Sequence, residues 1–193
     1  MKSFQDPIVA VVIGSNRGIG LALVRQLLVN PMVDVVYAGC RDPGFACDLD
    51  DLVKTYGTRV VPIAVDVTNS ESIEDLANRL EFDGAHPNLV VNCAGLLHDR
   101  DLQPEKRLED VTLGGLRRAF DINSIGPVLL MKAVKQLIPN QQRVVIANLS
   151  ARVGSLSDNR LGQIYAVFAF LFWGGISPIY FKEVSVVEPL EVL

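Results

Sequence analysis

Apolar residues along this chain fall into two kinds of run, and the two kinds alternate. The first kind is short and continuous. Pro7–Gly14 (PIVAVVIG) is apolar at nearly every position, which predicts a strand covered on both faces. Asp34–Cys40 (DVVYAGC), Arg59–Val67 (RVVPIAVDV), Asn88–Gly95 (NLVVNCAG) and Arg143–Ser150 (RVVIANLS) repeat the pattern and predict the second to fifth strands. The second kind has helical spacing. Across Gly18–Asn30 the residues Ile19, Leu23, Val24, Leu27 and Leu28 share one side, and Pro31 follows the end. Asp50–Tyr56 has room for a helix. Thr68 and Glu71 stand in capping-box spacing ahead of SIEDLANRL, and a long helical pattern covers Leu113–Leu137. Strands alternating with helices predict βαβ units, a parallel sheet and an α/β fold.

No repeat, low-complexity tract or linker interrupts the alternation. A chain of 193 residues is long enough for one domain with a sizeable core. With 49% hydrophobic and 21% charged residues it is globular and not disordered. A formal net charge of -4 argues against a nucleic-acid partner, since phosphate binding needs a basic face. Cys40, Cys47 and Cys93 are odd in number and lack CxxC spacing, so reduced thiols in a cytoplasmic protein are expected, and no metal site. The N-terminal MKSFQDPIVAVVIG has no small-residue cleavage site, so no secretory signal is expected.

The apolar pattern is heaviest in Leu161–Phe181, which carries no charge. Only Ile164–Trp173 is uninterrupted, before Gly174, Gly175 and Pro178. A spanning helix needs about 20 apolar residues, so a buried helix is expected and a membrane-associated chain is the alternative.

Candidate chemistry begins at the first strand–helix turn. GSNRGIG comprises Gly14, Ser15, Asn16, Arg17, Gly18, Ile19 and Gly20. A dinucleotide pyrophosphate would lie there, against free N–H groups at a helix N-terminus. Gly14 permits a sharp turn, Gly18 a close approach of phosphate, and Gly20 close packing of helix on strand. The second strand ends in AGCRDP, where an NAD site would place an acid for the ribose 2′-hydroxyl. Here Arg41 follows, and Arg17 lies in the loop. Two guanidinium groups favour a 2′-phosphate, and so NADP over NAD, although Asp42 adjoins Arg41.

These residues together resemble the short-chain dehydrogenase/reductase family. IGSNRGIG is similar to its TGxxxGxG loop, with Ile13 where threonine is usual. VDVT resembles the segment whose aspartate meets the adenine, which implies Asp66 and its neighbour Val67 there. NCAG resembles the NNAG motif, which implies Asn92, Ala94 and Gly95 at the cofactor. FDINSIGP resembles the helix carrying the active-site asparagine, here Asn123. NLSARVGSLSDNRLG is similar to the carbonyl-reductase branch that includes the C-factor and sniffer proteins. The resemblance implies a Rossmann-type doubly wound sheet of about five strands in the order 3-2-1-4-5. It places a dinucleotide-binding domain at 1–162 and an atypical apolar segment of the same domain at 163–193. The family's two further strands find no match after Gly162, so a truncated C-terminus is expected.

The implied activity is carbonyl reduction with NADP(H) and a small-molecule carbonyl substrate, with a homodimer as an expected assembly. In this family a serine holds the carbonyl oxygen, and a tyrosine followed four residues later by lysine protonates it. That pair is missing. Tyr37, Tyr56, Tyr165 and Tyr180 are followed at this spacing by Arg41, Val60, Ala169 and Val184. The family register puts the tyrosine at Val167 and the lysine at Leu171. Tyr165 lies two residues early, which turns it by roughly 200° on a helix. Alanine occupies the usual serine position at Ala151, which leaves Ser150 and Ser155 as alternatives, with Ser150 taken as the candidate. Impaired reduction is therefore expected, with a non-catalytic NADP(H)-binding or regulatory chain as the alternative.

Overall fold

A computed structural model of the chain describes residues 7–97, 108–139 and 142–149. These belong to two compact units. Residues 7–96 and 118–149 form the first, and Leu97 with 108–117 belong to the second. In the second unit the Thr112 hydroxyl accepts the Gly115 N–H at 3.1 Å and so starts a helix.

The first unit is a parallel five-stranded sheet: β1 (Ile8–Ile13), β2 (Val33–Cys40), β3 (Val60–Ala64), β4 (Leu89–Asn92) and β5 (Val145–Asn148). The strand order is β3-β2-β1-β4-β5, as the family resemblance implied. Helices α1 (Gly18–Val29), α2 (Cys47–Tyr56) and α3 (Ser70–Phe82) supply the sheet's connections, while α4 (Leu113–Phe120) begins in the second unit and α5 (Gly126–Lys135) lies in the first. Right-handed crossovers in such a sheet carry the chain first to one side of β1 and then to the other, so the order reverses between β1 and β4.

The core has two layers because the strands are apolar on both faces. On one, Ala10, Val12, Val36 and Ala38 meet Leu21, Val24 and Leu28 of α1 and Leu49 and Leu52 of α2. On the other, Val11, Ile13, Tyr37 and Val90 meet Leu76 and Leu80 of α3 and Leu130 and Val134 of α5. Each buried Val, Leu or Ile among them contributes about 1.5–3 kcal/mol by leaving water.

Four local expectations change. Ile19 is 68% exposed, and Leu21 takes its place on the buried side of α1, so the packed face is rotated by two positions at the helix start. The cap of α3 is Asn69, whose carboxamide oxygen accepts the N–H groups of Glu71 at 2.9 Å and Ser72 at 3.3 Å. Thr68 is engaged elsewhere, by Asp66. The third strand stops at Ala64, because Val65 to Thr68 form the turn that leads to the cap. The long helix is not continuous: a π-turn at Asp121–Ile125 separates α4 from α5. No helix among the described residues is long and apolar enough to cross a membrane. Ser150 and the apolar stretch 161–181 lie outside the described residues.

Candidate functional site

Strand ends bring the candidates together. Register aligns Ile63, Gly39, Ile13, Asn92 and Asn148 in one row across the sheet, and the loops that follow β1 to β4 form its carboxyl edge. Ligands in this fold bind outside that edge, where the strand order reverses.

The glycine loop is held by a single oxygen. The Gly39 carbonyl accepts the N–H of Gly14 at 2.8 Å, the N–H of Ser15 at 3.1 Å and the Ser15 hydroxyl at 3.0 Å. Ser15 is fully buried, so its side chain anchors the loop from beneath. Gly14 has φ +78°, a conformation that other residues rarely adopt, and an added Cβ would sit 2.9 Å from the Ala94 nitrogen. At Gly20 a Cβ would overlap the Gly14 carbonyl, so the absence of a side chain lets α1 start directly on β1.

The mouth of the loop is open. Asn16, Arg17, Gly18 and Ile19 are exposed. Arg17 is the N-cap residue of α1 in extended conformation; it makes no side-chain capping bond, and no acid stands in the first turn. A Cβ at Gly18, where φ is +56°, would meet nothing within 4 Å. Uncapped N–H groups, the positive end of a helix dipole and open space suit an anion. These residues fit a dinucleotide pyrophosphate.

Arg41 and Asp42 are exposed immediately after β2. Beyond β3, Asp66 is half-buried. Its Oδ1 accepts the Thr68 N–H at 2.9 Å and the Thr68 hydroxyl at 2.7 Å, while its own N–H donates to the Ser72 hydroxyl at 2.9 Å. Val67 beside it is buried. Across β1, Asn92 is 2% exposed and its Oδ1 accepts the Ala94 N–H at 3.1 Å. The Cys93 N–H donates to the Ile13 carbonyl at 2.8 Å, which ties the NCAG turn to β1. Burial pushes the thiols of Cys40 and Cys93 up, away from the reactive thiolate form.

Gly95 is exposed, and Asn123 stands over it: a Cβ at Gly95 would lie 3.5 Å from the Asn123 Oδ1. Asn123 projects from the π-turn and forms a reciprocal pair with the backbone of Leu96. The Leu96 N–H donates to Oδ1 at 2.8 Å, and Nδ2 donates to the Leu96 carbonyl at 2.7 Å. Its carboxamide therefore fixes the chain just after NCAG. The structure thus gathers the glycine loop, Arg41, Asp66, Val67, Asn92, Ala94, Gly95 and Asn123 along one edge. Ser150 falls outside the described residues.

Sequence reasoning passed over two residues. Gly39 interrupts an apolar strand, a pattern that signals close backbone approach, and a Cβ there would press within 2.5 Å of the Ile13 side chain. Gly126 opens α5 ahead of Pro127, and the same signal was available.

Comparison with known proteins adds three findings. A family model described as enoyl-(acyl carrier protein) reductase matches residues 13–167. The match ends at the position that the family register assigns to the tyrosine. A 1-hydroxy-2-glutathionyl-2-methyl-3-butene dehydrogenase from Rhodococcus sp. (strain AD45) is 35% identical over 81% of this chain and 62% of its own length. An uncharacterized oxidoreductase from Schizosaccharomyces pombe is 31% identical over 79% of this chain and 58% of its own. The chain thus spans about three fifths of these relatives. Among solved structures, NADPH-bound carbonyl reductase from chicken fatty liver is 26% identical with a TM-score of 0.72, covering 93% of this chain and 73% of that one. Carbonyl reductase Sniffer of D. melanogaster, 23% identical, shares the fold with a TM-score of 0.79 over 94% and 76%.

Proposed function

Since the chain belongs to the short-chain dehydrogenase/reductase family, we propose that it binds NADP(H) and that its carbonyl-reducing chemistry is impaired. The observation that carries the binding half is the open, uncapped N-terminus of α1 above the Gly39-anchored loop. Arg17 and Arg41 would take the 2′-phosphate, Asp66 with Val67 the adenine, and Asn92, Ala94 and Gly95 the floor toward the nicotinamide. The NADPH-bound carbonyl reductase supports that choice of cofactor. A bound nicotinamide supplies hydride.

The protein must then hold the carbonyl oxygen and protonate it. Ser150 is the candidate to hold it. No tyrosine in the chain has a lysine four residues on, so no side chain has the family's proton-donating arrangement. Loss of a general acid typically costs about 10²- to 10⁴-fold in rate. A small-molecule carbonyl remains the proposed substrate class, the cytoplasm the proposed location and a homodimer the proposed assembly. A non-catalytic NADP(H)-binding chain is the second reading, and the missing YxxxK favours it.

Titration with NADPH and NADH, with a panel of aldehydes and ketones assayed alongside, separates the possibilities. Saturable NADPH binding, tighter than that of NADH, with little or no turnover is the expected result. Failure to bind either nucleotide would overturn the binding claim. Turnover at the rate of an intact family enzyme would overturn the impairment.

A further inference from the structure

The π-turn that presents Asn123 ends on Gly126, and Gly126 is pressed against the loop after β3. Its N–H donates to the Asp121 carbonyl, closing the wide turn. A Cβ at this position would lie 2.6 Å from the Val67 carbonyl oxygen, 2.9 Å from the Val67 Cβ and 3.0 Å from the Asp121 carbonyl oxygen. Real Cβ atoms do not come that close to backbone, and a carbonyl of the main chain cannot rotate away as a side chain can. Glycine therefore permits two things at once: the π-turn itself and the seating of α5 directly on Val67.

Those two contacts belong to opposite halves of the crevice. Val67 follows Asp66, whose carboxylate is set by Thr68, on the β2–β3 side. Asn123, three residues before Gly126, clasps Leu96 at the end of the NCAG turn, on the β4–β5 side. Ile122 and Leu130, on either side of Gly126, pack into the same core layer as Val67. The path from one half to the other is thus short: backbone from Asp66–Val67 through Gly126 and the π-turn to Asn123, then the Asn123 carboxamide on Leu96.

We infer that Gly126 is a positioning residue that holds the adenosine half and the nicotinamide half of the crevice at the spacing one dinucleotide requires. The inference rests on the proposed dinucleotide site. A two-ended ligand gains affinity over its halves only when both half-sites can be engaged together, and a misplacement of about 1 Å can cost of order 10²-fold. Gly126→Ala must push α5 away from Val67. Each half-site keeps its own contacts, but their separation changes.

The test compares a whole ligand with half of one. NADPH and 2′,5′-ADP, which carries only the adenosine end and its 2′-phosphate, are titrated against the full chain and against Gly126→Ala. NADPH affinity should fall by about tenfold or more while that of 2′,5′-ADP stays within about twofold. Gly114→Ala, where an added Cβ meets nothing within 4 Å, is the control and should change neither. Equal losses of both ligands, or no loss of either, would overturn the inference. Wild-type chain that ignores NADPH altogether would instead sink the proposed site.

A second measurement on the unmodified chain covers the case in which Gly126→Ala does not fold. Saturating 2′,5′-ADP should slow hydrogen exchange at the Leu96 and Gly126 amides by about fivefold or more, the lower end of ordinary coupling. The Asn88 amide, bonded to the Val9 carbonyl at the far edge of the sheet, serves as reference. Slowing confined to the adenosine half, or equal at Asn88, would overturn the coupling.

Discussion

The two halves of the crevice are built differently. On the β1–β2–β3 side the geometry is closed by backbone. One carbonyl, that of Gly39, takes three donors, and the open helix end above it needs no side chain to attract an anion. On the β4–β5 side the geometry depends on side-chain carboxamides: Asn92 on the Ala94 N–H, Asn123 on Leu96. The sequence departs from the family's pattern later in the chain, at Ala151, Val167 and Leu171. Under the proposed function, holding a nucleotide and reacting a carbonyl would thus be written in separate parts of the chain, and one could change without the other.

The largest test of that contrast removes the backbone fit. Gly20→Ala would drive a methyl group into the Gly14 carbonyl. We expect a loss of about 3 kcal/mol or more in urea unfolding and no measurable NADPH binding. Wild-type affinity in this variant would break the account of the loop. Arg17→Ala and Arg41→Ala act on charge alone. Each should weaken NADPH by about tenfold and leave NADH within about twofold, read by fluorescence titration. A parallel loss for both nucleotides would remove the 2′-phosphate assignment.

Asn123→Ala strips the carboxamide from the other half. It leaves the Leu96 N–H and carbonyl to water at an exposed site, so a cost of about 1 kcal/mol is expected, with the preference for NADPH over NADH unchanged. A changed preference would mean that the two halves do not divide the work as described.

The smallest effect lies under the sheet. The Tyr37 hydroxyl donates to Asp83 at 3.2 Å, and Asp83 also pairs with Arg79 at 2.9 Å. Burial, then the Asp83 carboxylate, push the phenol from its usual 10.0 up to about 12. A raised folded-state pKa means stability that is complete below pH 10 and is lost as pH rises toward about 12. Tyr37→Phe should cost about 1 kcal/mol at neutral pH and leave NADPH affinity untouched. The difference between wild type and variant should shrink between pH 10 and about 12, followed by chemical denaturation at each pH. A constant difference would refute the role of the phenol.

Much of the fold was legible because periodicity reports burial directly. All five strands appear where continuous apolar runs stood, and Gly14–Arg17 form the turn that leads into α1 at Gly18. What escaped was set by competition between local bonds. Thr68 and Glu71 had the right spacing for a cap, but Asp66 captured Thr68 and Asn69 took its place. Helical periodicity from Leu113 to Leu137 gave no sign of the π-turn, because one extra residue per turn barely disturbs an apolar pattern. In the candidate site, the turn between β1 and α1 was legible from its glycines. The anchoring by Gly39 was not, because it is a contact between backbones far apart in the chain.

That anchor has a consequence for how such a chain ages. Every amino acid carries a carbonyl oxygen, so no single substitution can delete the acceptor that shapes the loop; it can only crowd it. The residues that perform acid–base work enjoy no such protection, since one codon change removes a tyrosine or a lysine outright. A cradle defined by main-chain atoms would therefore outlast a loss of acid–base side chains, and under the proposed function the place for a nucleotide would persist where the reaction did not.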